Sequence, residues 1–275
     1  MTITADAFTF VSDLVRRESA IVLGPGKEYL VESRLLPLAR ANGDLNIEAY
    51  VAKARQQPTG PFPRQIVEAL TTNETSWMRD SEPFLALRDV VVPELIAKRG
   101  SSRRLRVWCA ASSSGQEPYS VAMVLADMPQ LAGWSIEIIG SDLSHEMVDR
   151  CRAGRYSQLE MNRGLPATQL VRHFTREGAF FRVNPALAAM TSFRQVNLVR
   201  PLPPMGVFDI VFCRNVLIYF DTPTKRDVLR KVRQVMAPDG VLYLGAAEMT
   251  MGVDDAWERV AIGRSSVHRI RKDHP

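Results

Sequence analysis

Charged side chains follow three apolar segments of this chain, at positions where the ends of strands would present them to a ligand. Glu117 comes after LRVWCAA, Asp142 after IEIIG and Arg214 after FDIVFC. Arg214 directly follows its apolar strand, and a charge in that position costs free energy unless it is paired or used. In a sheet of parallel strands, ligands bind beyond the carboxyl ends. The three positions therefore predict one polar site at a single edge of a sheet.

The loop WCAASSSGQEPYS, residues 108–120, lacks the features of a phosphate-binding loop. It contains a single glycine, Gly115, and no lysine follows it, whereas dinucleotide loops use GxGxxG and P-loops need GK[ST]. A ligand without phosphates makes fewer demands, and S-adenosylmethionine is such a ligand. Glu117, at the start of the helix, is placed to bind its α-ammonium group. An acidic first turn is also common for helix capping, so both interpretations stay open.

The other two strand ends carry alternatives of their own. Asp142 is placed to accept hydrogen bonds from both ribose hydroxyls, or to cap the helix that begins near Ser144. Arg214 and Asn215 lie just past their strand, at the ligand edge of the sheet. The alternative for Arg214 is a structural salt bridge, which would serve to pair a buried charge.

A polar segment of ten residues, TTNETSWMRD, separates two parts of the chain that have different patterns. Its Asn73, Thr75 and Arg79 are placed to face one cleft. A linker explains the polarity of the segment equally well. It does not explain the large apolar pair Trp77 and Met78, so the segment is a candidate part of the site.

The patterns on either side predict two kinds of domain. Residues 1–70 are predicted to be helical, with Asn46 as an N-cap and Pro37 expected to kink or shorten the second helix. From about residue 105, strands alternate with helices, which predicts a parallel, doubly wound α/β sheet. Residues 156–198 break that alternation, and we interpret them as an insertion before the next core strand.

The composition argues against several classes of protein. The 275 residues carry a net charge of +5, with no basic stripe interleaved with aromatic residues for nucleic acid. The chain contains no run of about 18 apolar residues, so no membrane helix is predicted. The first residues lack the pattern of a secretory signal. Three cysteines form no metal-binding spacing. We therefore expect a cytoplasmic protein without a metal site.

Together, the motifs resemble one family. Six motifs have the order and spacing found in the chemotaxis receptor protein-glutamate O-methyltransferases, the CheR family. They are TTNETSWMRD, AASSSGQEPYSVAM, GSDLS, FRQVNL, FDIVFCRNVLIYFD and APDGVLYLGAAE. The resemblance implies an all-α receptor-docking domain (1–70), a linker that lines the cofactor cleft (71–85) and a Rossmann-like class I methyltransferase α/β domain (86–275). It also implies a small antiparallel β-subdomain inserted at about 170–195.

The resemblance implies S-adenosyl-L-methionine as the methyl donor, S-adenosyl-L-homocysteine as the product, and a role for each matching residue. The residues implied in cofactor binding are Asn73, Thr75, Arg79, Glu117, Asp142, Asn197, Leu198 and Asn215. Those implied in catalysis are Arg79, Arg214 and Tyr219. A basic face formed by Lys27, Arg34 and Arg40 would contact the cytoplasmic helices of a chemoreceptor.

The implied reaction is the methylation of receptor glutamates to γ-methyl esters by a monomeric enzyme. A glutamate with a pKa of ~4.3 is ionised at neutral pH, so the acceptor needs no general base. Some members of the family also bind the C-terminal peptide of the receptor at the β-subdomain, beside a glycine-rich loop. The corresponding segment here, GAFFRVNPALAAM, has only Gly178 and includes Pro185, which leaves peptide binding open.

Two alternatives to this function stay open. One is a non-catalytic module that binds receptors and senses the cofactor. The other is a methyltransferase that acts on another class of substrate. The chain lacks an Asn/Asp-Pro-Pro-Tyr type of loop after FDIVFC, which argues against methylation of nucleic-acid bases.

Overall fold

The computed structural model describes residues 3–272, which form two compact units. One unit comprises the residues up to Thr72 together with Tyr219–Thr224, and the other comprises Asn73–Ile218 and the residues from Lys225 onward. The division after Thr72 falls inside the segment predicted as a linker. Most of that segment therefore belongs to the second unit.

The first unit is built from helices, each of which buries an apolar stripe. Their bounds are α1 (Ala5–Ser19), α2 (Glu28–Ala41), α3 (Ile47–Gln56) and α4 (Pro61–Leu70). Asn46 caps α3 as predicted, because its side chain accepts a hydrogen bond from the backbone N–H of Ala49.

Pro37 was expected to kink or shorten the second helix, and of these two outcomes the shortening was wrong. The helix α2 continues through Pro37 to Ala41. Pro37 is exposed, whereas Val31, Leu35 and Ala39 are fully buried. The burial of these side chains offsets the loss of one backbone hydrogen bond at the proline.

The second unit alternates helices and strands, as the sequence predicts from about residue 105. Its helices are α5 (Glu82–Ala86), α6 (Val92–Arg99), α7 (Gln116–Ala126), α8 (His145–Ala153), α9 (Gln158–Met161), α10 (Ala167–His173), α11 (Pro185–Ala188) and α12 (Thr222–Gln234), the last of which begins in the segment grouped with the first unit. A π-helical turn, Leu87–Val91, joins α5 to α6, and short 3-10 turns lie at Pro129–Leu131 and Leu217–Tyr219.

The strands form two sheets. They are β1 (Arg104–Ala110), β2 (Ser135–Asp142), β3 (Arg155–Ser157), β4 (Phe174–Glu177), β5 (Phe180–Val183), β6 (Thr191–Gln195), β7 (Phe208–Cys213), β8 (Met236–Leu244), β9 (Trp257–Ile262) and β10 (Ser265–Ile270). The main sheet has the order β6-β2-β1-β7-β8-β10-β9. Its first five strands are parallel, and β10 runs antiparallel to both of its neighbours, β8 and β9. The carboxyl ends of β1, β2 and β7 therefore meet at one edge.

The predicted β-subdomain exists, but its expected position was wrong at both ends. The small antiparallel sheet has the order β3-β5-β4, so it begins at Arg155 rather than near residue 170. The strand β6 pairs with β2 in the main sheet, from Ile138 opposite Thr191 to Asp142 opposite Gln195. The short segments look alike in sequence, because a solvated edge strand of the main sheet and a strand of a small sheet are both only half buried.

Within residues 3–272, no helix combines the length and the apolar character needed to cross a membrane. The same part of the chain contains no cluster of three or more histidine, cysteine or acidic side chains suited to a metal ion. Its three cysteines are free and buried.

Candidate functional site

The loop between β1 and α7 is shaped by Gly115. This residue has φ +98°, and a Cβ atom there would lie 2.8 Å from the Tyr156 hydroxyl and 3.0 Å from the Cys151 sulfur. The Tyr156 hydroxyl donates to the carbonyl of Ser114 at 2.8 Å. The single glycine thus serves a left-handed turn and close packing.

Asp142 joins this loop to the end of β2. Its Oδ2 accepts from the backbone N–H of Ser113 at 2.8 Å, and its Oδ1 accepts from that of Ser144 at 3.0 Å. The helix cap is Ser144 itself, whose side chain accepts from Met147. The capping alternative for Asp142 was therefore wrong as stated.

Asn197 and Leu198 follow β6 and lie beside the end of β2. The backbone N–H of Val196 donates to the carbonyl of Asp142 at 2.9 Å, and the Asn197 side chain accepts from Val199 at 3.1 Å. Leu198 is buried, and its carbonyl accepts from Lys231 at 3.1 Å. The structure thus brings Asn197 next to the acidic end of β2, and the role of Asn197 and Leu198 beside the adenine stays a prediction.

Arg214 lies at the centre of a buried cluster of charges. Its side chain is 1% exposed, and its guanidinium donates to Asp80 at 2.7 Å, to Glu117 at 3.0 Å and to the carbonyl of Arg79 at 2.9 Å. Burial raises the pKa of Glu117, and Arg214 acts in the opposite direction. The structural salt bridge that was the alternative for Arg214 is therefore present. Its role toward a substrate remains a prediction.

The segment TTNETSWMRD is packed into the second unit. Trp77 is 1% exposed and meets Tyr156 and Phe174 edge to face, with ring centroids 4.8 and 5.2 Å apart. The Ser113 hydroxyl donates to the carbonyl of Asn73 at 2.6 Å, so the segment touches the β1–α7 loop. A solvated linker would make neither contact, and that alternative was wrong.

The backbone around Arg79 is strained. Met78, Asp80 and Ser81 all have positive φ, at +46°, +63° and +27°, which costs free energy in non-glycine residues. The Arg79 guanidinium donates to the carbonyl of Glu74 at 3.1 Å. Among the described residues it has no carboxylate partner within ion-pair distance. The turn therefore presents a cation without an ion pair next to the Arg214 cluster.

Sequence reasoning missed Glu248, which organises the loop after β7. Its Oε2 accepts from the N–H groups of Asn215 and Gly245, both at 2.7 Å, and its Oε1 accepts from Val216 at 2.9 Å and Ile218 at 3.2 Å. Asn215 is held at φ +58°. The acid is visible in LGAAE, but nothing local indicates that three of its four partners lie 30 to 33 residues earlier.

Replacing Glu248 with alanine is expected to lower the free energy of unfolding by about 2 kcal/mol, because backbone N–H groups lose their acceptor. Urea denaturation of the purified chain measures this loss. Glu258, exposed on β9, is the control position, and its alanine variant is expected to stay within about 0.5 kcal/mol of the parent. Equal losses at the two positions would contradict the role given to Glu248.

Two other predicted site residues, Thr75 and Tyr219, form no hydrogen bond with the Arg214 cluster within the described residues. Thr75 is half buried within TTNETSWMRD, and Tyr219 ends a 3-10 turn in the segment grouped with the first unit. The role of each remains a prediction.

The three predicted docking residues belong to the first unit and differ in environment. Lys27 precedes α2 and Arg40 lies in its last turn, and both are exposed. Arg34 is half buried and donates to the carbonyls of Ala69 and Thr71 at 3.2 and 2.5 Å, at the end of α4. Arg34 therefore satisfies orphan carbonyls of a helix end, a contact within the unit that the pattern did not reveal.

Comparisons with known proteins agree with this architecture. Residues 6–71 match a family model described as the CheR methyltransferase, all-alpha domain, and residues 73–265 match the CheR methyltransferase, SAM binding domain. The chain is 38% identical to chemotaxis protein methyltransferase Cher2 of Pseudomonas putida and 39% identical to chemotaxis protein methyltransferase 1 of Pseudomonas aeruginosa. Each match covers 94% of this chain and 95% of the relative. The Vibrio parahaemolyticus chemotaxis protein methyltransferase is 36% identical, over 98% of this chain and 99% of the relative.

Proposed function

Because the chain belongs to the CheR family of protein-glutamate O-methyltransferases, we propose that the Arg214 cluster organises its methylation site and that Arg79 positions the glutamate acceptor. The observation that carries this proposal is the division of labour between the two arginines. Arg214 is committed to Asp80 and Glu117. Arg79 is left without an ion pair among the described residues.

Membership of this family identifies the reaction. It excludes the two alternatives that the sequence left open, a non-catalytic binding module and a methyltransferase of another substrate class. The protein uses S-adenosylmethionine to methylate chemoreceptors. It is therefore neither a binding module without activity nor a methyltransferase of another substrate class. The roles of individual residues in this reaction are proposed from their contacts and charges.

The chemistry of the donor set fits S-adenosylmethionine. When bound, this cofactor supplies an electrophilic methyl group on a sulfonium. Glu117, at the start of α7, offers a carboxylate to the α-ammonium group, and Asp142, at the end of β2, is assigned to the ribose hydroxyls. Asn197 and Leu198, next to the end of β2, are assigned to the adenine. The Arg214 Nε is buried and has no hydrogen-bond partner among the described residues. Its N–H group is therefore an unused hydrogen-bond donor in the site.

Arg79 is proposed to align the acceptor rather than to activate it. A glutamate carboxylate is already ionised at neutral pH, so alignment accounts for most of the contribution of the protein. The acceptor loses its negative charge as the ester forms. A very strong clamp would therefore stabilise the ground state more than the transition state, and the half-buried Arg79, which has no ion pair among the described residues, suits this role better than the buried Arg214.

The described His–Asp pair is not placed to act as a base. His173 and Asp127 are 3.0 Å apart, but Asp127 follows the last turn of α7 and Glu117 lies in its first turn. The axial rise of a helix separates them by about 15 Å. A reaction without a general base agrees with this arrangement.

Lys27 and Arg40 are proposed to contact the acidic surface of the receptor. Both cations are exposed near the two ends of α2. We also propose that the modified glutamates lie on the cytoplasmic helices of the receptor and that the protein acts on them in the cytoplasm. We propose that it does so as a monomer. Binding through the first unit would then raise the local concentration of the acceptor.

A methyl-transfer assay tests the docking proposal. Purified receptor cytoplasmic fragments are incubated with methyl-labelled S-adenosylmethionine, and mild alkali then releases label from carboxyl esters as methanol. The double variant Lys27→Ala, Arg40→Ala is expected to raise KM for the fragment about fivefold, because exposed ion pairs are worth up to ~1 kcal/mol. The cofactor Kd should not change.

The matched control is Arg17→Ala, which removes an exposed cation from the last turn of α1. An equal rise in KM for this control would indicate a general effect of charge and would contradict the assignment of α2. Label that resists alkali would contradict carboxyl methylation itself.

A further inference from the structure

A cavity of about 600 Å³ adjoins the Arg214 cluster and is not used by the cofactor residues described above. It lies past the carboxyl end of β8 and against the β9–β10 hairpin. Asp80 and Arg214 form part of its wall, so it borders the site directly. Glu117, Asp142 and Asn197 do not line it. The cavity therefore lies on the β8 side of Arg214, away from the strands assigned to the cofactor.

The wall contributed by the hairpin is polar and basic. In the antiparallel pairing, His268 lies opposite Arg259 and Ser266 lies opposite Ala261. Because side chains alternate along a strand, Arg259, Ser266 and His268 share one face of the hairpin. The other face holds the buried Val267. The face with Arg259 lines the cavity, together with Arg264 at the hairpin turn.

Arg259 and Arg264 in this wall form no ion pair with a carboxylate among the described residues. Arg259 donates through Nε to the Ser266 hydroxyl at 3.1 Å. Among the described residues, Arg264 has neither a hydrogen bond nor an ion pair. Of the acids in the cavity, Asp80 is bound to Arg214 and Glu248 is bound to four backbone N–H groups. Among the described residues that line the cavity, Glu82 at the start of α5 is the one acid whose side chain has neither a hydrogen bond nor an ion pair.

A buried histidine lies in the same wall. His268 is 2% exposed and lies opposite Leu242 of β8 and Arg259 of β9. Burial lowers the pKa of His268 to about 4, although a hydrogen bond with the Leu242 backbone acts in the opposite direction. The ring is therefore neutral at physiological pH. It adds no charge to the wall, whose positive charge comes from the arginines.

We propose that this cavity binds a second acidic side chain of the receptor, within one helical turn of the glutamate that is methylated. The inference rests on the proposed function, since it assumes that the acceptor approaches Arg79 beside the Arg214 cluster. Arg259 and Arg264 attract the neighbouring carboxylate, and the Ser266 hydroxyl offers it a hydrogen bond. The exposed Met249 and Met251 side chains border the cavity and contact the apolar part of the same helix.

This arrangement makes the choice of glutamate depend on its neighbours. A glutamate with an acidic side chain close by is held at two points, whereas an isolated glutamate is held at one. Charge complementarity of this kind selects among otherwise similar sites and weakens as salt is added. The cavity thus sets which glutamates of a receptor are modified first.

The test couples changes on the two partners. Methylated glutamates of a receptor cytoplasmic fragment are identified by mass spectrometry, and one that has an acid within a helical turn is chosen. The neighbouring acid is changed to its neutral amide, and kcat/KM is measured for the parent enzyme and for the double variant Arg259→Gln, Arg264→Gln. The control is Arg104→Gln, which removes an exposed cation from the amino end of β1, at the opposite edge of the sheet.

The parent enzyme is expected to lose about fivefold in kcat/KM when the neighbouring acid is neutralised. The double variant should lose the same factor on the original fragment and less than twofold more on the neutralised one. The Arg104→Gln enzyme should behave as the parent does. The cofactor Kd should be the same in all three enzymes, because the cavity is separate from the cofactor residues.

Three results would overturn the proposal. Independent, additive losses would show that the cavity does not contact that acid. No loss in the double variant would show that its cations play no part, and a weakened cofactor Kd would assign the cavity to the cofactor instead. If the parent enzyme transfers no alkali-labile methyl group to the fragment, the proposed function fails and this inference fails with it. Methyl transfer without coupling rejects the cavity alone.

Discussion

Replacing Arg214 with alanine is expected to lower the free energy of unfolding by about 3 kcal/mol and to weaken cofactor binding about tenfold. The side chain is 1% exposed and bridges Asp80 and Glu117. Removing it leaves Glu117 as an uncompensated charge in a buried site, which is strongly destabilising. Urea denaturation gives the stability change, and isothermal titration with S-adenosylmethionine gives the change in Kd.

A second substitution separates the loss of the ion pair from the loss of packing. In the double variant Arg214→Ala, Glu117→Gln, the buried acid is removed along with its partner, and about half of the lost stability should return. A double variant as unstable as Arg214→Ala alone would show that the cation acts through its packing against neighbours. One such neighbour is Phe84, whose ring centroid lies 5.8 Å from the guanidinium carbon of Arg214. A loss below about 1 kcal/mol in the single variant would contradict the central role of Arg214.

The pH dependence of stability offers an independent check on Glu117. Its pKa is raised in the folded protein, mainly by burial, so the folded state binds the proton more tightly than the unfolded state does. The stability that this group contributes is therefore fully present below the ordinary value of 4.5. It is lost as the pH rises through the raised pKa. The Glu117→Gln variant should lack this part of the pH profile.

Replacing Arg79 with alanine is expected to lower kcat/KM for the receptor fragment about 100-fold, with a smaller effect on cofactor Kd. Displacing a reacting group by about an ångström costs this much. The strained turn at Met78, Asp80 and Ser81 indicates that the position of this side chain is held at a cost in backbone energy. Steady-state methyl transfer with the fragment in varied concentration measures the effect.

Arg163→Ala is the matched control for Arg79. Arg163 is a half-exposed cation that pairs with Glu74, in the same segment as Arg79, at 3.0 Å. It has no place in the proposed site, so its replacement should leave kcat/KM within about twofold. The Arg79→Lys variant keeps the charge but not the planar fork. Full activity in Arg79→Ala would reject the positioning role and leave Arg214 or Tyr219 to hold the acceptor.

Local patterns were enough to predict much of this protein. The alternation of strands and helices, the cap at Asn46 and the positions of Glu117, Asp142 and Arg214 at strand ends depend on neighbouring residues in the chain. Hydrophobic periodicity and turn chemistry report such features directly. The family resemblance depends on short motifs in a fixed order, and the comparisons confirm it.

The tertiary structure decided what those residues touch. The pairing of Arg214 with Asp80 joins positions 134 apart, and the Glu248 carboxylate binds N–H groups about 30 residues earlier in the chain. The placement of β6 in the main sheet depends on its register with β2. Such partners are selected by the register of strands and by the need to satisfy buried polar groups, and neither leaves a signal in the local sequence.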